Sequence, residues 1–260
     1  MPIPFFLYLA KNKNIIYKPL KNNTMATYSQ ASFGARLSRA KQLYLYIHSF
    51  EDYSPDVPEL TPPNFLLLIE SMDTTQQKYT QTHHLFAESA KERANIFTKN
   101  DDSINKKATL IKAYVKAKFK NDSQQFKDVE KLVNKIRGEK PLKTSADSDV
   151  QTISRSEKSY GSQLQNFTDL VTLAIQFGTE YAPANQNIKM TALQDTLRTA
   201  TTLNNETTRK FAEFKPKIAQ RQDGFVQLSE TANRIKEIVK SQYGIASDQY
   251  KLIKGLNFSI

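Results

Sequence analysis

Two similar stretches, 124 residues apart, constrain the fold of this chain more than any other feature of its sequence. Residues 114–132 read YVKAKFKNDSQQFKDVEKL, and residues 238–256 read IVKSQYGIASDQYKLIKGL. The similarity continues upstream, where SFGARLSRAKQL (32–43) matches SYGSQLQNFTDL (159–170) at an offset of 127 residues. Because the matches keep their order along the chain, the sequence predicts an internal duplication with two copies of about 105 residues each.

Further matches lie between these two anchors. At an offset of 128 residues, YSP (53–55) meets YAP (181–183), and Phe97 meets Phe225. A deletion of four residues near Gly224 then changes the offset to 124. The matches predict a basic N-terminal extension (1–24), a first helical repeat (25–137), a polar linker (138–158) and a second helical repeat (159–260).

The spacing of apolar residues predicts that each copy is helical. In the first copy, apolar residues recur every three or four positions from Phe33 to Ile47, which indicates one buried helix face. The proline-rich segment 54–63 ends that helix, and a run from Phe65 to Phe97 then predicts a helical rod roughly 50 Å long. The sequence therefore predicts an all-α, elongated antiparallel bundle of about eight helices, as a tandem duplication of four. In the second copy, Pro216 predicts a kink or a break.

The repeated phrase itself is interpreted as a turn followed by the closing helix of each copy. Serine is a favoured first residue of a helix, so Ser123 and Ser247 are predicted to cap these helices. The aromatic residues are predicted to be core residues, and Gly244 marks the turn where the first copy has Lys120. This structural motif comprises Phe119, Ser123, Phe126, Tyr243, Gly244, Ser247 and Tyr250.

Few residues suggest chemistry. The chain has no cysteine, and its three histidines are His48, His83 and His84. Neighbouring residues on a helix point about 100° apart, so His83 and His84 do not face one metal ion. His83 is the best single candidate for a general base, but the second copy has Phe211 at its position, which favours a histidine at the edge of the core. We therefore expect no enzyme activity, no cofactor and no metal site.

The strongest polar pattern is a group of lysines in the first copy. Lys112, Lys116 and Lys120 are spaced by four residues, so a helix would align them on one face. Such a lysine ladder could contact a nucleic acid or an acidic partner. The chain has a formal charge of +11, but four of its lysines lie in the first 24 residues, where no acid balances them. The candidate binding residues are Lys106, Lys107, Lys112, Lys116 and Lys120.

The first ten residues, MPIPFFLYLA, form an apolar run that is much too short to span a membrane. The run also makes a poorly formed secretory signal, because no cationic stretch precedes it. We expect a cytoplasmic protein without a transmembrane segment, and secretion is left open as an alternative. Met25, followed by small polar residues, is the expected usual start of the protein.

The repeated motifs resemble those of a family of uncharacterised, all-helical bacterial proteins of Bacteroidota type. The resemblance rests on SFGARL with YVKAKFKNDSQQFKDVEKLVNKIRG, and on SYGSQL with IVKSQYGIASDQYKLIKG. It covers Met25 to the C-terminus and implies the all-helical fold, the duplication and Met25 as the start. The chain departs from the family pattern at Lys120, where a glycine is expected. The resemblance implies no activity.

These observations leave three classes of function. The first is a structural protein that associates with itself into an oligomer or filament, since a duplicated body can bind a neighbouring copy head to tail. The second is a module that binds nucleic acid or an acidic partner through the lysine ladder. The third is a secreted helical protein that acts on membranes. The first is our hypothesis, because the duplication is clear and no catalytic pattern accompanies it.

Overall fold

The computed structural model describes residues 32–138 and 159–258. The predicted N-terminal extension (1–24) lies outside the described residues, as does the predicted linker apart from Gly138.

The described residues are helical and contain no strand. A π-helical turn, Asn95–Lys99, continues α2, and short 3-10 turns occur at Pro58–Leu60, Gly178–Glu180 and Gln186–Ile188. The predicted all-α class is therefore confirmed. The seven α-helices are α1 (Phe33–Ser49), α2 (Pro62–Ala94), α3 (Ile104–Phe119), α4 (Gln124–Arg137), α5 (Tyr160–Gln176), α6 (Met190–Tyr243) and α7 (Asp248–Lys254).

Serine hydroxyls cap four of these helices. The Oγ atoms of Ser123 and Ser247 accept hydrogen bonds from the backbone N–H groups of Phe126 and Tyr250, at 3.2 and 3.1 Å. Ser32 and Ser159 cap α1 and α5 in the same way, with the N–H donor again three residues further on. The two predicted caps are confirmed, because a serine at this position satisfies one of the free N–H groups of the first turn.

Replacing Ser247 with alanine is expected to lower the free energy of unfolding by about 1 kcal/mol, because the N–H of Tyr250 loses its acceptor. Chemical denaturation measures the loss. Ser241→Ala, at an exposed position inside α6, is the control and should cost nothing, since alanine is the better helix former. An unchanged midpoint for the Ser247 variant would contradict the cap.

The described residues contain seven α-helices where the sequence predicted eight, because α6 is continuous. It runs through Pro216, so the expected break is absent. In the first half of the chain the corresponding stretch is divided between α2 and α3 by Asn100–Ser103. The second half lacks four residues at this point, and without them the helix has no turn. Pro216 removes one hydrogen bond, to the carbonyl of Ala212.

The apolar residues form two separate cores, and each core takes residues from both halves of the chain. We define lobe A as α1, residues 62–75 of α2, residues 223–243 of α6, and α7. Lobe B comprises residues 95–99, α3, α4, α5 and residues 190–202 of α6. Fully buried core residues are Leu43, Ile47, Phe65, Phe225, Ile235 and Ile253 in lobe A, and Phe97, Ile111, Val133, Phe167, Leu170 and Leu193 in lobe B.

The two lobes are joined by the middle parts of α2 and α6, which run antiparallel. Ser89 contacts Thr207 and Arg93 contacts Asn204, while a side chain at Gly224 would collide with the thioether of Met72. We call residues 76–94 of α2 and 203–222 of α6 the stalk. At about 1.5 Å per residue, α6 is about 80 Å long, and the cores lie about 50 Å apart along it.

Candidate functional site: the two-helix stalk

The stalk is the part of the molecule where, between its two ends, a pair of helices has no further described helix packed on it. Its contact surface was predicted from the apolar run between Phe65 and Phe97. In the lobes this surface is buried, as at Phe65 and Phe97, but in the stalk Phe86 is only half-buried and His83 is exposed. Two helices can cover only one narrow strip of each other, so rings at the edge of that strip remain in water.

Aromatic rings line one side of the stalk. The ring of Phe214 lies 5.2 Å from His83, 5.3 Å from Tyr79 and 5.8 Å from Phe86. The ring of Phe86 also lies 5.3 Å from Phe211. These are the distances at which aromatic pairs attract each other. The cluster therefore holds α2 and α6 together at the middle of the stalk.

Several side chains of this cluster remain open to solvent. Phe211 is 45% exposed, and Ile218, one turn beyond Phe214 on α6, is 42% exposed. Phe214 itself is only 6% exposed. These side chains form a shallow apolar surface, and the ring of Phe214 fills its centre. We call it the aromatic face and define it as Tyr79, His83, Phe86, Phe211, Phe214 and Ile218.

The aromatic face carries little charge. On α2 the helical neighbours of His83 are Tyr79, Thr80, Phe86 and Ala87, all uncharged. On α6, Lys215 is the one charged residue among the positions three or four residues from Phe211. Arg209 lies on the far side of α6, where it forms ion pairs with Glu206 and Glu213. Apart from Lys215, and from Arg221 stacked on Tyr79, apolar and charged residues thus lie on two sides of the stalk.

An arginine stacks on an aromatic ring at each end of the stalk. The guanidinium of Arg93 lies 4.2 Å from the ring centre of Tyr160 at the start of α5. The guanidinium of Arg221 lies 4.1 Å from the ring of Phe33 at the start of α1, and 3.6 Å from that of Tyr79. Cation–π contacts of this kind contribute about 0.5–2 kcal/mol each. They attach the first helix of one half of the chain to the long helix of the other half.

Two tyrosines close equivalent loops in the two lobes. The hydroxyl of Tyr53 donates a hydrogen bond to the carbonyl of Leu60 at 3.0 Å, and that of Tyr181 donates to Ile188 at 2.9 Å. Burial raises the pKa of both hydroxyls above the usual value, with smaller contributions from a neighbouring tyrosine in each case. Both groups therefore stay protonated, as a structural donor requires.

The structure does not keep the predicted lysine ladder as a row of free charges. Lys106 pairs with Asp101, and Lys112 pairs with Glu130 at 2.8 Å. Lys107 is buried, and burial lowers its pKa although Asp102 and Asp195 act in the opposite direction. These three lysines offer little to a polyanion.

The other two lysines of the ladder lie near the end of α3. The ammonium of Lys116 lies 5.8 Å from the ring of Phe126. Lys120 follows the last residue of α3 and has a φ of +70°. Both are exposed, and neither is ion-paired within the described ranges 32–138 and 159–258, whereas Lys106 is exposed but paired with Asp101.

The repeated motif lies where the chain passes from one helix to the next. Phe126 is buried, whereas Phe119, Tyr243 and Tyr250 are half-buried. Phe119 packs on Phe177 at 5.1 Å. In lobe A, Tyr243 packs on Phe50 at 5.8 Å. The motif thus serves the contact between helices of different halves, which the sequence pattern did not reveal.

The predicted general base also has a structural explanation. The ring of His83 is parallel to that of Tyr79 at 6.0 Å, so its faces are used for packing. It is exposed, however, and does not sit at the edge of a buried core as expected. No cluster of three metal-ligating side chains occurs in the part of the chain that the structure describes. None of the described helices has the length and apolar character that a membrane span requires.

Fold and site together define a class of protein: an all-helical chain with two lobes joined by a two-helix stalk. Comparisons with family models, with curated proteins and with solved structures found no match for this chain. The family resemblance therefore stays a prediction.

Sequence reasoning missed the residues that define this site. The sequence indicated Phe211 only as the counterpart of His83, and it did not indicate Arg93 and Arg221 as stacking residues. A signal was present, because an arginine among the apolar positions of a long helix must find a partner for its planar guanidinium. Which ring it would meet depended on the other half of the chain.

Proposed function

We propose that this protein is a non-enzymatic structural protein that associates with itself through a duplicated helical body into an oligomer or filament. The observation that carries the proposal is the pair of similar lobes at the two ends of one stalk. A chain with two like ends can contact two neighbours at once, which is the minimum requirement for an extended assembly.

Contacts that recur in both lobes support the duplication. The stacking of Arg93 on Tyr160 has a counterpart in the stacking of Arg221 on Phe33. The contact of His83 with Phe214, at 5.2 Å and 53°, has a counterpart in that of Phe211 with Phe86, at 5.3 Å and 49°. The tyrosine hydrogen bonds and the four serine caps recur in the same way. These pairs are what an approximate two-fold axis through the middle of the stalk would produce.

The paired contacts also explain how the two copies are combined. Each lobe takes the first helix of one copy and the last helix of the other, as in a domain-swapped dimer whose two chains have been joined. Such an exchange makes the long helices common to both lobes. It is a low-cost route from a helical unit that associates with itself to a single two-lobed chain.

The surface of lobe A offers apolar side chains for association. Four large aliphatic residues there are more than half exposed, while Ile175 is the one such residue on lobe B within the described part of the chain. Burial of such side chains against another protein surface would stabilise an association. The residues are Leu45, Leu67 and Leu252, together with Ile245 in the turn between α6 and α7.

Sedimentation velocity at increasing protein concentration, combined with negative-stain imaging, tests this proposal. We expect the sedimentation coefficient to rise with concentration and particles longer than the roughly 80 Å of α6 to appear. A species that remains monomeric at every concentration, in low and physiological salt, would contradict self-association. A salt-dependent complex with generic DNA would favour the lysine-ladder alternative instead.

A further inference from the structure

We infer that the aromatic face of the stalk is the surface on which a second copy of this chain packs, so that two molecules join stalk to stalk as a symmetric dimer. This inference rests on the proposed self-association and names the surface that produces it. The four lobes of such a dimer would remain free for further contacts.

The stalk resembles half of a four-helix bundle. Two antiparallel helices bury one strip between them, and here that strip leaves His83, Phe211 and Ile218 exposed. Adding a second antiparallel pair across this side would give a four-helix bundle, in which such positions become core. The apolar side chains are thus at the places that a bundle needs.

The symmetry of the aromatic face indicates that a second copy of the chain is the partner that packs on it. The rings of Phe86 and Phe214, which hold equivalent positions in the two halves, stack at 5.8 Å with an angle of 13°. The approximate two-fold axis therefore passes through the aromatic face itself. A face with this symmetry presents nearly the same surface in both directions along the stalk, so a second copy matches it in either orientation.

The distribution of charge on the stalk also suits contact between two copies. A surface that binds its own copy must not bring a cluster of like charges together, since desolvated like charges cost several kcal/mol. The positions three or four residues from His83 and Phe211 are uncharged except for Lys215, whose long chain can extend to the rim. The guanidinium of Arg221, at the end of the face, is already stacked on Tyr79 of its own chain. The charged far side, with Arg209, Glu206 and Glu213, would stay in water.

The available area fits a dimer of moderate strength. The stalk is about 28 Å long and two helices wide, or about 20 Å. Burying this side on both copies removes about 1,100 Å² from water, close to the lower limit of about 1,200 Å² for stable complexes. We therefore expect association in the micromolar range of concentration.

The decisive experiment compares two substitutions on opposite sides of the stalk in the full chain. Phe211→Glu places a charge on the aromatic face, and Leu85→Glu is the matched control, because Leu85 is also exposed but points about 200° away from His83. In sedimentation equilibrium we expect Phe211→Glu to raise the dimer dissociation constant at least tenfold. Leu85→Glu should change it less than about twofold.

A second readout does not depend on weakening the dimer. Because the chain has no cysteine, a single one reports proximity without interference. His83→Cys is expected to form a covalent dimer with a flexible bis-maleimide cross-linker, which does not require the two residues to be in direct contact. Leu85→Cys, on the opposite side, should stay monomeric on a denaturing gel. This measurement decides the matter if Phe211→Glu fails to fold.

The two proposals fail in different ways. If the wild-type chain associates but Phe211→Glu associates equally well and His83→Cys does not cross-link, the stalk interface is wrong while self-association stands. If the wild-type chain is monomeric throughout, the proposed function itself is contradicted.

Discussion

Replacing Phe225 with alanine is expected to lower the free energy of unfolding by about 3–5 kcal/mol, because its fully buried ring fills the core of lobe A. Chemical denaturation of the full chain measures this loss. Phe97→Ala removes the corresponding ring from the core of lobe B and should cost a similar amount.

Which helices lose stability is more informative than the total loss of unfolding free energy. Phe225 belongs to the second half of the chain, but its core contains α1 from the first half. Native-state hydrogen exchange of the Phe225 variant should therefore show reduced protection in α1 and α7, with α5 less affected. The Phe97 variant should show the reverse pattern, with loss in α4 and α5.

The exchange pattern tests the mixed composition of the two lobes. If each half of the chain instead folded as its own unit, Phe225→Ala would weaken α5 and leave α1 protected. That result would overturn the two-lobe arrangement, whatever the total loss of stability.

Replacing Lys120 with glycine is expected to stabilise the protein by about 1 kcal/mol. Lys120 has a φ of +70° and a ψ of 163°, a conformation that costs a side-chain-bearing residue about 1–3 kcal/mol. Glycine removes this cost but gives back part of the gain, because it increases the entropy of the unfolded chain. Differential scanning calorimetry or urea unfolding measures the net change.

Gly244→Lys is the matched reverse substitution. Gly244 has nearly the same backbone conformation, with a φ of 89° and a ψ of 156°, and no atom lies within 4 Å of an added Cβ. Its replacement should thus cost about 1–3 kcal/mol for backbone reasons alone. If Lys120→Gly and Gly244→Lys both raised or both lowered the free energy of unfolding, the two turns would not be equivalent.

The family resemblance predicts a glycine at position 120, but the turn there forms with a lysine instead. Lys120 adopts the glycine-like conformation because the helices on both sides are fixed, with Val115 buried before the turn and Phe126 after it. Tertiary packing here overrides a local preference, as strained residues in folded proteins generally require.

Much of the local structure could be predicted from the sequence. The helix from Phe33 and the helices capped by Ser123 and Ser247 begin where the apolar spacing and the caps indicated. These features depend on contacts within a few residues, so short-range patterns carry them. Of the kink or break expected at Pro216, the break does not occur, because one lost hydrogen bond is a small cost against the packing of a 54-residue helix.

The candidate site was less predictable. Lys107 was a candidate binding residue because it precedes the lysine ladder in sequence, but it is buried in lobe B. Spacing placed His83 at the edge of a core, yet of the described helices only α6 packs there, and the ring is exposed. Periodicity tells which side of a helix is apolar, and it cannot tell how many partners cover that side.

The sequence by itself determined the helical class, the caps and the internal similarity, because each follows from residue types at fixed short spacings or from direct comparison of two segments. Only the tertiary structure decided that α1 packs with α6 and α7, that α5 packs with α3 and α4, and that a stalk of two helices joins the lobes, with no third described helix along its middle. The similar segments of the two halves present nearly the same apolar faces, so packing within one half and packing between halves satisfy the same sequence pattern. The long continuous α6 is too rigid to fold back on its own half, so helices of different halves pack together.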